Sequence, residues 1–366
     1  MHAVKIGVER GSDACGGFGP FGGDLRPGAA AYREPTGWLP VTGGGGPRSP
    51  GTPIDGAVLG KAAGENFPVA PFFLPAAWRD DLMAVYGFAR LVDDTGDGDL
   101  AAPERVAATL GVDLPAPETP RRGVAGRPAP AEVAFRLALL DGLERDLDRV
   151  FERASGTGGA GMPHHPLMQA LVPLVANHGL TPEPFRDLIQ ANRVDQRTVR
   201  YASYQDLLGY CALSANPVGR LVLSIAGVSS PERVERSDAI CSALQVVEHL
   251  QDVAEDLAMG RIYLPAEDLD RFGVTEADLA APVAGGRVRD LIAFQAQRAA
   301  TLLDHGAPLV GTVRGRLRLL LAGFTAGGRA ALRAITAAGY DVLPGPPKPA
   351  KGRLLREAAA TYVKGR

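Results

Sequence analysis

Cysteine is scarce: Cys15, Cys211 and Cys241 are the only three in 366 residues, at unrelated spacings. Such spacing excludes a disulfide framework and a zinc-thiolate cluster, so the three read as free thiols in a reducing cytoplasm. Charge imbalance is small as well. With 39 Lys and Arg against 41 Asp and Glu, the net charge of −2 supplies no global field to draw nucleic acid or an anionic membrane. No uninterrupted apolar run approaches ~18 residues, and the opening residues lack the basic stretch and apolar core of a secretion signal. Neither a membrane span nor a signal peptide is expected. Alternating β-branched runs are few, the best being Ala3 to Val8.

Apolar residues, at 46%, suffice for a sizeable core. They are unevenly placed. Glycine and proline occupy 23 of the first 60 positions, too many for burial to offset the ordering entropy, so residues 1–60 read as a disordered extension. Two more Gly- and Pro-rich breaks, Asp113 to Ala131 and Ser155 to Pro166, read as loops. From Arg79 onward the apolar spacing is helical: Leu82, Val85, Ala89 and Val92 fall on one face, as do Val246, Leu250, Val253 and Leu257. Further helices are expected over Val133 to Phe151, Phe185 to Val194, Tyr204 to Ala226, Arg289 to Leu303 and Gly327 to Ala338. The fold class is all-α, with one domain over residues 61–345 and a C-terminal tail, 346–366, with room for a short helix.

The sharpest chemical feature is Asp93-Asp94-Thr95-Gly96-Asp97, in which Asp93 and Asp97 project from one helix face a turn apart. A second acidic row, Glu248, Asp252 and Asp256, runs beside the later apolar stripe. Like charges at this spacing repel by a few tenths of a kcal/mol per pair on an exposed helix, roughly, and by more when enclosed. A solvated face is the bland explanation of one such row. Two rows beside apolar stripes point to a bound cation. Magnesium suits them, because it takes oxygen ligands and shares itself between carboxylates and substrate phosphates. Facing acidic helices can then hold a diphosphate and offset the charge that develops as its C–O bond breaks.

Two other motifs carry less. Gly17-Phe18-Gly19-Pro20-Phe21-Gly22 has the letters of a dinucleotide fingerprint but no strand before it or helix after it, so no NADPH site is expected. His164-His165 has no companion ligands and reads as a solvated turn. Arg200, Arg261 and Arg271 are available to phosphates, although surface ion pairing is the commoner fate of an arginine.

Longer stretches carry a resemblance. Glu65-Asn66-Phe67-Pro68-Val69-Ala70, then Tyr86 to Asp97, resembles the first aspartate-rich region of the squalene and phytoene synthases, the ENFPVA opening being similar to the hydroxysqualene synthase branch. Leu244 to Asp256 and Gly260-Arg261-Ile262-Tyr263-Leu264-Pro265 resemble the second region. Arg200-Tyr201 and Tyr210 to Gly219 resemble the central helix.

This resemblance implies an isoprenoid synthase fold with a central cavity between helices, apolar at depth and acidic at its mouth. It implies that Asp93, Asp97, Asp252 and Asp256 hold two or three magnesium ions, that Arg90 contacts the diphosphate and that Tyr210 lies beside the reacting carbons. Asn66, Glu248 and Gln251 would join the substrate-binding set, and Ser214, Ala215 and Gly219 would line the prenyl channel. Where many members have asparagine and then arginine, this chain has Glu248 and Gln251, and the lost cation disfavours holding two diphosphates. The expected reaction is therefore ionisation of presqualene diphosphate, rearrangement and water capture to give hydroxysqualene. The alternatives are condensation of farnesyl or geranylgeranyl diphosphate, or a non-catalytic prenyl-diphosphate-binding partner of a sister synthase. The expected partner is an isoprenoid diphosphate, with loose attachment to the inner face of the membrane or contact with sister squalene-pathway enzymes, and no nucleic acid.

Overall fold

The computed structural model describes residues 73–114, 128–156, 161–348 and 360–364. The N-terminal extension, Ala3 to Val8, the glycine motif at 17–22, Cys15 and Asn66 lie outside the described residues. Among those described there is no strand, only an isolated parallel bridge between Arg200 and Ile262.

The first half comprises α1 (Ala76–Asp97), α2 (Pro103–Leu110), α3 (Pro130–Ser155), α4 (Pro166–His178) and α5 (Glu183–Asp195). Helix α1 is central here and packs on α3, α4 and α5. Its stripe is buried as the spacing requires, with Leu82, Val85, Ala89 and Val92 all in the core. Gly96 sets the α1–α5 distance, because a Cβ there would come 2.1 Å from Asn192 Oδ1 and 2.9 Å from its Cγ. Proline at the first turn of α2, α3 and α4 starts each helix where its missing N–H costs nothing.

The second half comprises α6 (Tyr204–Ser214), α7 (Asn216–Ile225), α8 (Pro231–Gln251), α9 (Val253–Ala258), α10 (Ala266–Phe272), α11 (Glu276–Leu279), α12 (Gly286–Gly306), α13 (Leu309–Thr312) and α14 (Gly315–Ala337). Helix α8 lies along α12, crosses α7 and also meets α14. Its stripe of Val246 and Leu250 continues through Val253 of α9 into the core, while Leu257 is partly buried. Residues 360–364 form a further helical turn, and Arg318 of α14 lies over the Tyr362 ring at 4.9 Å.

Three expectations need correction. The helix expected across Tyr204 to Ala226 is two helices, broken at Ala215. Pro217 lacks an N–H and disfavours helical backbone at the residue before it, so the chain restarts there. The acidic row 248–256 is likewise not on one regular helix. Asp252 (φ −104°, ψ 16°) interrupts it between α8 and α9, although the Asp252 N–H donates to Glu248 O at 3.0 Å and the Asp256 N–H to Asp252 O at 2.8 Å. The His pair is only half solvated. His164 is exposed, but His165 is buried and caps α4, its Nδ1 accepting from Leu167 N–H at 3.2 Å. Asp146 accepts both histidine backbone N–H groups, at 2.7 and 2.8 Å.

Candidate active site

The first acidic set belongs to the buried end of α1, where residues Gly87 to Gly96 are all enclosed. Arg90 Nη1 lies 3.4 Å from Asp93 Oδ2, and its Nη2 lies 2.9 Å from Asp94 Oδ1. Spacing singled out Asp93 and Asp97. The structure adds Asp94, as deeply buried as Asp93 and the closer partner of Arg90. Burial pushes the Asp93 carboxyl up to about 6, with Asp97 adding to the shift and Arg90 opposing it. The carbonyl of Gly96 accepts from Gln196 Nε2 at 2.8 Å and Arg136 Nη1 at 3.0 Å. The end of α1 is thus tied to α5 and α3.

The second set meets the first through an arginine. Arg261 Nη1 lies 3.1 Å from Asp97 Oδ1, joining two regions 164 residues apart in sequence. Burial alone would lower the Arg261 pKa, but Tyr263, Asp195 and Asp97 reverse this and hold it above its ordinary value. Asp256 is buried, and burial together with the charge of Asp252 pushes its carboxyl up to about 8 against the pull of Arg261. The backbone supports this meeting. Ile262 N–H donates to Val199 O at 3.0 Å, and Arg200 Nη1 donates to Gly260 O at 2.8 Å.

Beside these acids is an aromatic wall. Tyr201, Tyr210 and Tyr263 are mutually 5.6 Å apart at their centroids, and His249 stacks on Tyr263 at 3.8 Å and 9°. The Tyr210 hydroxyl donates to Asp195 Oδ2 at 2.7 Å and the Tyr263 hydroxyl to Asp195 Oδ1 at 3.3 Å. Burial first, and the Asp195 charge second, hold both phenols well above their usual value, so both remain protonated donors. A cavity of about 680 Å³ opens on the acidic side of this cluster, with Asp97, Asp195, Arg136, Arg197 and Arg261 among its lining and Asp195 joining it to the Tyr210 and Tyr263 hydroxyls.

Further expected residues lie on α6, α7 and α8 and at the breaks between helices. Ser214 is fully buried, and its hydroxyl has no hydrogen-bond partner among the described residues. Ala215 occupies the α6–α7 break. Gly219 lies against α8, where a Cβ would come 2.4 Å from Ser237 Oγ and 2.7 Å from Cys241 Sγ. Close helix packing is thus sufficient reason for its missing side chain. Glu248 is half-buried on α8, whereas Gln251 is buried and donates to Pro347 O at 2.9 Å. Of the three arginines offered to phosphates, only Arg261 meets the acidic set. Arg200 pairs with Glu276 at 2.9 Å, and Arg271 lies over the Phe294 ring at 4.5 Å. Burial pushes the Cys211 thiol up to about 12, which excludes it as a nucleophile at neutral pH.

Asp195, Tyr201, Tyr263 and His249 escaped the sequence reading as functional residues. Tyr201, His249 and Tyr263 all stood inside the motifs that carry the resemblance. Asp195 had no periodic partner to mark it.

An all-helical fold with two acidic helix ends meeting beside an aromatic wall is that of an isoprenoid synthase. The chain belongs to the squalene/phytoene synthase family, whose description matches residues 61–354. The hydroxysqualene synthase of Rhodopseudomonas palustris is 31% identical over 251 residues, covering 68% of this chain and 72% of that protein. The 15-cis-phytoene synthase of Synechococcus elongatus is 30% identical over 247 residues, covering 64% and 68% respectively. Among solved structures, squalene synthase HpnC from Alicyclobacillus acidocaldarius shares 39% identity and a TM-score of 0.61, covering 78% of this chain and 94% of that one. A dehydrosqualene synthase structure, at 23% identity and a TM-score of 0.65, shares the fold. The family consists of head-to-head prenyl synthases that bind prenyl diphosphates and are typically magnesium-dependent. Among the described residues, no helix is long and apolar enough to cross a membrane.

Proposed function

We propose that this protein ionises presqualene diphosphate and captures the rearranged cation with water to give hydroxysqualene. The observation that carries the choice of step is Gln251. Where the resemblance leads one to expect an arginine, a neutral amide is buried and spent on the Pro347 carbonyl. A substrate with one diphosphate needs fewer cations than two substrates that bring one each. The 39% identity to the HpnC structure supports the same branch.

The donor set fits magnesium. Asp93, Asp97, Asp252 and Asp256 offer hard carboxylate oxygens, and at Asp93 and Asp256 burial first, with Asp97 and Asp252 adding to it, raises the cost of the charged form, a cost that a bound dication would offset. Among the described residues no three His, Cys, Asp or Glu side chains converge on one point, and substrate phosphates and water would complete the shell. Bound there, magnesium would polarise the leaving diphosphate and neutralise its growing charge.

The chain's own groups do the rest. Arg90 and Arg261 place guanidinium groups beside the two acidic sets, where the leaving diphosphate would reside. Breaking the C–O bond sends the electron pair with the diphosphate, and the cyclopropylcarbinyl cation rearranges against the aromatic wall of Tyr210 and Tyr263. Ring quadrupoles stabilise nearby positive charge without reacting with it. Water then forms the new C–O bond and releases a proton, so the sum is substrate plus water giving alcohol plus diphosphate. No reductant is consumed.

The test is incubation of the purified protein with presqualene diphosphate and magnesium, without NADPH, followed by mass spectrometry of the organic extract. Hydroxysqualene is the expected product. Consumption of farnesyl or geranylgeranyl diphosphate with presqualene diphosphate untouched would replace this reading with condensation, which the phytoene synthase relatives at similar identity favour.

A further inference from the structure

Asp195 is the last residue of α5 and is buried, yet no spacing rule or metal role accounts for it. Its two oxygens accept from two different phenols, Tyr210 at 2.7 Å and Tyr263 at 3.3 Å. Those rings come from separate parts of the chain, α6 and the segment after α9. A carboxylate that accepts from both fixes the rotation of each ring and its distance from the other. The same end of α5 contributes Gln196, which holds the carbonyl of Gly96 next to Asp97. One helix terminus therefore sets both the aromatic wall and the nearest acidic residue of α1.

Its charge matters as much as its geometry. Asp195 lines the cavity together with Asp97 and Arg261. Phenols that donate into a carboxylate become more electron-rich, which adds to the attraction their ring faces exert on a cation.

We propose that Asp195 is a positioning residue for the carbocation step, holding Tyr210 and Tyr263 as one aromatic unit and enriching their rings through the two hydrogen bonds it accepts. The inference rests on the reading that places the reacting carbons beside Tyr210. If instead Asp195 only satisfied two buried hydroxyls, its replacement would alter stability without altering the balance between kcat and KM.

The test compares Asp195→Asn with the wild type in two backgrounds, native and Tyr210→Phe/Tyr263→Phe, on whichever prenyl diphosphate the wild type turns over. In the native background kcat is expected to fall about 10- to 100-fold, with KM within about 3-fold, because the missing interaction matters chiefly in the transition state. Products from cations lost before rearrangement should increase as a fraction of the total. In the double-phenylalanine background the same change should cost less than about 3-fold, since Asp195 then has no phenols to orient and the two effects do not add. Equal losses in both backgrounds, or an unchanged kcat in the first, would overturn the proposal. Should Asp195→Asn not fold, Tyr210→Phe/Tyr263→Phe alone, with Asp195 in place, must show the same kcat-selective loss, and a loss in KM alone would overturn it. Tyrosine 13Cζ spectra supply a readout independent of turnover. Two resonances should move in Asp195→Asn, and none moving would remove the structural premise. A wild type that consumes farnesyl rather than presqualene diphosphate corrects the proposed reaction, while the comparison of backgrounds still decides the role of Asp195.

Discussion

At the scale of single residues, the unusual property of the site is how many carboxyl groups are enclosed. The folded Asp256 carboxyl titrates at about 8, far above a carboxyl in the unfolded chain, so near neutrality the folded state retains a proton that the unfolded state has released. This difference costs nothing below about pH 4, grows as pH rises, and is complete above the folded value. Asp256→Asn should therefore raise the Tm of the metal-free protein at pH 9 by an amount on the order of a few °C and leave it unchanged near pH 4. Thermal melts at the two pH values check this, and an equal change at both would show that the charge of Asp256 is not what costs stability. In turnover the sign reverses. Asp93→Asn and Asp252→Asn should each lower kcat by roughly 100-fold or more while retaining the helical circular dichroism, because the lost charge serves the transition state rather than the apolar packing. The four acids were marked out because a helix repeats nearly every four residues, although the row from 248 to 256 is broken at Asp252. Asp195 was not, since its partners Tyr210 and Tyr263 lie 15 and 68 residues away.

At the scale of elements, the approach of α1 to α5 is set by the missing side chain at Gly96. Gly96→Ala forces a methyl group into Asn192, itself buried, and should cost about 1–3 kcal/mol by overpacking. Urea denaturation measures the loss, and Gly96→Ala/Asn192→Ala should recover part of it if the clash is the cause. An unaltered midpoint in Gly96→Ala would mean that the two helices separate freely. The apolar stripes announced α1 and α8, because burial on one face demands a repeat near 3.6 residues. The break at Ala215 was readable in Pro217, two positions later, and was missed because apolar spacing continued across it. The interruption at Asp252 has no such marker, since neither proline nor glycine adjoins it.

At the scale of the whole molecule, binding of diphosphate and magnesium should be coupled, because neither relieves the acidic face or the substrate's charge alone. Magnesium with diphosphate is expected to raise Tm at pH 8 more than the sum of the shifts given by each separately, as measured by differential scanning fluorimetry. Additive shifts would indicate separate sites. The all-α class was legible from composition and spacing alone. The meeting of the two halves was legible only through the family resemblance, since no local pattern says that residue 97 will face residue 261.

The Asp97–Arg261 pair also makes the chain divisible in a particular way. A cut between α3 and α4 leaves Asp93 and Asp97 on one fragment and Arg261, Asp252 and Asp256 on the other, with the core of α1 stripped of its α4 and α5 partners. Neither piece holds a whole site, so turnover would report reassembly. Fused to two proteins that associate, the fragments should regain turnover only when those partners meet, and turnover from the unfused fragments would show that the two halves find each other unaided.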